Sequence, residues 1–407
     1  MTLDIEYVRG QFPAFAEPNL QGQAFFENAG GSYTCKPVLD RLFRFYTQRK
    51  VQPYAPYEAS RLGGAEMDEA RSRLAAVMGV DTDEVSFGPS TTQNTYVLAQ
   101  AFRQFLKPGD AIIVTNQDHE ANTGPWRRLA DSGIEVREWQ IDPQTGHLDI
   151  ADLQNLLDDK VKLVCFPHCS NVVAEINPVA RIVALAHAAG AYTCVDGVSY
   201  APHGIPNVAK LGTDIYLFSS YKTYGPHQGI MVMRRGLGMT LPNQGHYFNE
   251  GSLYKRFTPA GPDHAQIAAC AGMVDYIDQL AVHHGGGAGD AAARGETAHD
   301  LMRSHEVKLL QPVLDYLKSK NAVRLIGPTD AAKRAPTVAV ALHEKGEAVA
   351  ARLARHGIMA GGGDFYGVRV IRALGEDPDH GVLRLSFVHY TNKAEIDKLL
   401  SALEAEL

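Results

Sequence analysis

The chain has 407 residues, with 39 lysines and arginines against 46 aspartates and glutamates for a formal net charge of -7. That length exceeds what one hydrophobic core usually serves, so two domains are expected, and 45% hydrophobic with 21% charged residues excludes a disordered chain. An acidic balance without a basic block argues against a nucleic-acid partner, and no stretch is long and apolar enough for a membrane-spanning helix.

The N-terminus, MTLDIEYVRGQFPAF, lacks the positive segment and apolar run of a signal peptide. From about residue 65 to 235, short apolar runs alternate with amphipathic stretches. That is the pattern of α/β architecture, a mostly parallel sheet with crossover helices. Seven runs are expected as strands: EVSFG, DAIIVTN, EVREWQI, VKLVCFP, AYTCVDG, DIYLFSS and GIMVMRR. Several are apolar throughout, as strands covered on both faces must be. TTQNTYVLAQAFRQFL and PVARIVALAHAAG carry helical spacing, the second ending at Gly190. HHGGGAGDAAARG, near residues 284 to 295, is expected to be a loop or a break between helices. MRSHEVKLLQPVLDYLKS reads as a helix, TVAVAL and GVLRLSFV as strands, and NKAEIDKLLSALEAEL as a terminal helix, together a smaller α+β unit. The five cysteines are too few and scattered for a disulfide framework, which suits a reducing cytoplasm. Cys165 and Cys169 flank His168, but without a second ligand pair they read as buried thiols and not as a metal site.

Ligands of such sheets gather at the carboxyl ends of the strands, so the polar residues that follow each apolar run carry the functional reading. After EVSFG, Ser90, Thr91 and Thr92 open a helix whose free N–H groups and hydroxyls suit a phosphate, although such residues are also ordinary caps. After DAIIVTN comes His119, placed to stack on a flat ring or to transfer a proton; HEANT lacks the second histidine of a zinc helix. Asn171 follows VKLVCFP as a neutral hydrogen-bonding group. Asp196 ends AYTCV, where a buried carboxylate needs a cation such as a protonated pyridine nitrogen, or else is a cap or structural salt bridge. Lys222 follows DIYLFSS; a lysine in a partly desolvated cleft loses proton affinity and becomes a competent amine nucleophile. Ser219 and Lys222 also spell S-x-x-K, but the companion elements of serine acyl-enzymes are missing.

The strings STT, DHEAN, HCSNVVAEINP, VDGVS and FSSYKTYGP, in this order, resemble the class V aminotransferase superfamily, and within it the cysteine desulfurase and selenocysteine lyase branch. The resemblance runs from NAGGS at residues 28 to 32 to LRLSFVHYTN near the C-terminus. It implies a pyridoxal-phosphate enzyme of fold type I. The implied division is an N-terminal segment (1–20) on the small domain, a large cofactor domain (21–275) and a small C-terminal domain (276–407).

By the same resemblance Lys222 forms the Schiff base, Asp196 pairs with the pyridinium nitrogen and His119 stacks on the ring. Thr91, Thr92 and Ser219 bind phosphate, and Asn171 lies beside the ring hydroxyl and the substrate. Arg384 holds the substrate α-carboxylate, for which its planar fork is suited, and Asn28, Ala29 and Gly30 border the substrate. Tyr221 stands where the family commonly has histidine, Ser199 where it has glutamine, and His264 where a threonine reaches the phosphate of the neighbouring subunit. A homodimer with shared sites is implied.

The main departure lies in HGIMAGGGDFYGVRV: desulfurases carry there a cysteine that attacks the substrate sulfur, and this chain has Tyr366. Asp364 and Tyr366 would form a polar lid hinged at Gly361, Gly362 and Gly363. The expected activity is carbon–sulfur lyase chemistry by β-elimination on a small amino acid, without a persulfide cysteine. A class V aminotransferase and an epimerase of the isopenicillin N type are same-fold alternatives, and a silent cofactor-binding regulator is a non-catalytic one.

Overall fold

A strand that is apolar at every position is stable only with cover on both faces; six of the seven expected runs are buried along nearly their whole length in a single sheet, and the seventh, Glu135–Trp139 at its edge, is fully buried only at Trp139. The computed structural model describes residues 2–261 and 263–407. The strands are β1 (Val85–Gly88), β2 (Ala111–Thr115), β3 (Glu135–Trp139), β4 (Val161–Pro167), β5 (Tyr192–Asp196), β6 (Ile215–Ser219) and β7 (Gly229–Met233). Their order is β1-β7-β6-β5-β4-β2-β3. Only β7 runs antiparallel to its neighbours β1 and β6; the other pairs are parallel. Ile112, Val114, Leu163, Cys165 and Leu217 face a core completed by Leu98, Phe102 and Trp126. Ile113, Val164, Phe166, Val195 and Phe218 face a larger core shared with the helices Glu58–Met78 and Ala271–His283.

The expected second unit is present. β8 (Arg324–Leu325), β9 (Thr337–Ala341), β10 (Gly361–Gly363) and β11 (Val382–Ser386) form an antiparallel sheet in the order β10-β11-β9-β8. Helices Ala291–Lys318, Gly346–Arg355 and Lys393–Glu406 close a separate core over it, built on Leu310, Leu314, Leu353 and Leu399.

The break expected between helices at the glycine-rich stretch is present but shorter than expected. The glycine-rich stretch is a loop only as far as Asp290, whose side chain accepts the Ala293 N–H and caps a helix of 28 residues running to Lys318. Three consecutive alanines favour helix more than Gly295 opposes it. The division expected after residue 275 falls inside the continuous helix Ala271–His283.

The N-terminal segment lies across both units. Arg9 donates to Glu395 at 2.8 Å and to the Tyr390 carbonyl at 3.0 Å. The buried ring of Phe12 meets Tyr224, Tyr276, His389 and Tyr390 edge-on. Among the described residues no helix is long and apolar enough to cross a membrane.

Candidate active site

A cavity of about 590 Å³ opens at the carboxyl ends of β1, β2, β4, β5 and β6, and the second unit forms its far wall. Lys222 reaches it from a single turn, Ser220–Lys222, directly after β6. Because β7 is antiparallel to β6, the connection is a short hairpin. It is clamped by Ser220 N–H to Gln228 O (2.9 Å), Gly225 N–H to Ser220 O (2.9 Å) and Ser32 N–H to Tyr221 O (3.1 Å). The Lys222 amine makes no hydrogen bond or ion pair with the described residues. Burial and the nearby charge of Arg384 pull its pKa down to about 8, against the opposing pull of Asp196 and Glu27.

Asp196, at the end of β5, is buried; its Oδ1 accepts the Val198 N–H at 2.8 Å, and burial pushes its pKa up to about 6. Asp118 is buried close by, accepting from Asn122 at 2.6 Å and from the His119 N–H at 3.0 Å; burial and the charge of Asp196 raise it well above the carboxylate range. Neither carboxyl is in an ion pair among the described residues, so this corner is short of one positive charge.

His119 caps the helix Glu120–Arg127, its Nδ1 accepting the Ala121 N–H at 3.0 Å. The ring proton therefore sits on Nε2. Burial, with the charges of Lys222 and Arg384, takes the pKa down to about 3, so the imidazole is a neutral flat plate on the cavity wall.

At the far end Thr91 and Thr92 open the helix Thr91–Phe105, Ser90 being its cap. Thr91 Oγ1 and Ser219 Oγ lie 2.8 Å apart. A Cβ on Gly229 would fall 2.6 Å from Thr91 N, so β7 packs directly under the helix start. Backbone N–H groups, hydroxyls and helix dipole converge here on one anion-sized position.

Arg384 comes from β11 of the second unit and is buried. Its guanidinium lies 3.7 Å from the centre of the Phe365 ring and donates to Glu27 Oε1 at 2.6 Å. Arg384 Nε and Glu27 Oε2 are buried without partners. Asn171 donates to the Phe365 carbonyl at 2.9 Å, leaving its Oδ1 buried and unpaired. Ala29, Gly30, Ser199, Tyr221 and Tyr366 complete the expected residues on the wall.

Three expected residues are not on it. Asn28 is turned toward the second unit, donating to Ser386 O at 3.4 Å and accepting from Tyr390. Asp364 holds a turn by accepting the Tyr366 N–H at 2.8 Å, so of the expected lid pair only Tyr366 reaches the mouth. His264 opens the helix His264–Ala269 outside the cavity.

Conversely, Cys169, read from sequence as a buried thiol, does touch the wall; its S–H points to Ala174 O at 3.2 Å and burial pushes its pKa up to about 12. Glu27, Asp118 and Phe365 were not singled out by the sequence. Each is the immediate neighbour of a residue that was, which is the only sequence signal they carry.

The profile of the aminotransferase class-V family matches residues 24–279 and 287–399. The chain belongs to that family. Among class V relatives it is 34% identical over 421 residues to the aminotransferase-like protein FGM3 of Gibberella zeae, covering 100% of this chain and 99% of that protein. It is 30% identical over 423 residues to a cysteine desulfurase of Serratia proteamaculans, with 99% and 98% covered. The apo structure of a cysteine desulfurase from Thermococcus onnurineus NA1 superposes with a TM-score of 0.86 at 25% identity, covering 100% of this chain and 98% of that one. This class V protein is thus a pyridoxal-phosphate-dependent enzyme of fold type I. Its cavity fits the cofactor: a half-buried amine without a partner among the described residues, a carboxylate without a cation, an orphaned amide oxygen and an anion position at a helix start stand around one space.

Proposed function

We propose that this enzyme breaks the carbon–sulfur bond of a cysteine-like amino acid by β-elimination, without a persulfide-forming cysteine. The observation that carries the reading is the chemistry of the cavity's thiols. Tyr366 occupies the mouth, and Cys169, the one cysteine on the described wall, is held as an un-ionised S–H. A desulfurase-like site without a thiolate nucleophile retains proton abstraction and leaving-group expulsion.

In this reading Lys222 would hold pyridoxal phosphate through Nζ, and Asp196 would serve as the anionic partner of its ring nitrogen. Thr91, Thr92 and Ser219 would hold the phosphate, His119 would cover the ring, Asn171 would bond the ring hydroxyl, and Ser199 and Tyr221 would add bonds at its edge. When bound, the cofactor supplies a sink for the electron pair left on the substrate α-carbon. Lys222 Nζ takes the α-proton, which an amine with a pKa near 8 does efficiently at neutral pH. Arg384 holds the carboxylate, Ala29 and Gly30 border the substrate, and His119 keeps water from the ring face. Tyr366 gives its phenolic proton to the departing sulfur, which leaves with the bonding pair.

A homodimer accompanies this reading. Phe43, Tyr46, Tyr54 and Tyr57 are exposed aromatics, and Tyr46 bonds Asp263, the cap of the helix that His264 opens. With a second copy on that face, the partner subunit's His264 would complete the phosphate site.

Supplying L-cysteine to the purified coloured protein should release sulfide and pyruvate in equal amounts, and Lys222→Ala should abolish both. Alanine together with protein-bound persulfide sulfur would overturn the reading. The 34% identity to an aminotransferase-like protein favours transamination as the second reading; its mark is turnover that requires an added keto acid.

A further inference from the structure

The arginine that would receive a substrate carboxylate already has one. Glu27 lies two residues before Ala29, in the segment bordering the cavity, and its Oε1 accepts from Arg384 Nη2 at 2.6 Å. Space has been made for it: a Cβ on Gly30 would fall 2.9 Å from Oε1, and one on Gly361 would fall 2.9 Å from Oε2. Arg384 cannot turn away, because Phe365 covers its face at 3.7 Å and the side chain is buried. A carboxylate ligand must therefore compete with a tethered carboxylate for one fork, and two anions cannot share it without repulsion.

We propose that Glu27 sets the affinity of this site for its amino-acid substrate, as a built-in anion that the substrate carboxylate must displace from Arg384. The proposal rests on the reading of the cavity as a cofactor site open to amines. An amine without that carboxylate leaves the Glu27–Arg384 pair intact. An amino acid has to displace Glu27, which then loses its charge-assisted hydrogen bond to Arg384.

The test is a matched titration of the holoenzyme, following the visible absorption band with L-alanine and with ethylamine, which differ only by the carboxylate. The ratio of the two dissociation constants is compared among wild type, Glu27→Gln and Glu27→Asp. Glutamine removes the competing charge at nearly unchanged volume, and aspartate keeps the charge while withdrawing it from Arg384. Both variants should shift the ratio toward alanine by about tenfold, the size of one charge-assisted hydrogen bond, and Glu27→Gln should leave ethylamine within about twofold.

A purely structural role would move both ligands together and leave the ratio fixed, which would overturn the proposal; so would absence of any alanine response in both variants. Protein that stays colourless when supplied with the aldehyde fails earlier, removing the cofactor reading and this inference with it.

Discussion

The chemistry of single residues here follows from burial more than from identity. Lys222 is an ordinary amine whose proton is destabilised by dehydration and by Arg384. Competitive acetylation across pH should therefore show Lys222 titrating near 8, while solvated lysines titrate near 10.5. Asp196→Asn removes a charge that holds the proton on, so it should move the Lys222 midpoint below 8. The same shift has a stability consequence with a definite sign. Below pH 8 the folded apoprotein carries a partly dehydrated ammonium that the unfolded chain would hold more comfortably, so Lys222 opposes folding there; the penalty fades as pH rises from 8 toward 10.5. Apoprotein with Lys222→Met should be more stable than wild type at pH 7 by about 2–3 kcal/mol, and the difference in thermal melting should close at high pH. The residues legible in the sequence, Lys222, Asp196, His119 and Thr91, are those that directly end apolar runs. Glu27 was not legible because its meaning is a contact with Arg384, 357 positions away, which no local pattern encodes.

At the scale of elements, the inner strands of the large sheet were readable because full burial writes itself as a nearly unbroken apolar run, and the edge strand Glu135–Trp139 because its apolar residues are interleaved with charged ones. The start of the helix Ala291–Lys318 was not, since glycine-rich sequence hides a strong alanine nucleus behind a cap. β10 was also invisible: three glycines carry no strand propensity, and they pair with β11 because only glycine fits. A Cβ on Gly362 would meet Glu347 N and the Gly346 carbonyl carbon at 2.1 Å, both backbone. Gly362→Ala should therefore push the helix Gly346–Arg355 outward and cost about 1–3 kcal/mol, measured as a lowered denaturant midpoint. Gly236→Ala, with open space around its Cβ, should leave that midpoint unchanged or slightly raised.

For the whole molecule the decisive arrangement is that the cavity belongs to neither unit alone. Lys222, Asp196 and His119 stand on the large sheet and Arg384 on the small one, so the geometry depends on how the two are fastened. Phe12 is one of the fasteners, set among rings from both sides. Phe12→Ala should cost about 3–5 kcal/mol in chemical denaturation, and it should weaken amino-acid binding at Arg384 more than cofactor binding at Lys222. Sequence showed two units but not their fastening, because an N-terminal aromatic reads the same whether it folds onto one body or bridges two.

The antiparallel seventh strand has a consequence for how the molecule assembles. Strand exchange across every other pair on its side of the sheet waits for a helix to be laid down between partners, whereas β6 and β7 meet through nine intervening residues and can pair as soon as they emerge. The nucleophile is thus seated by a contact local in sequence, and its position depends on one hairpin instead of on a crossover helix.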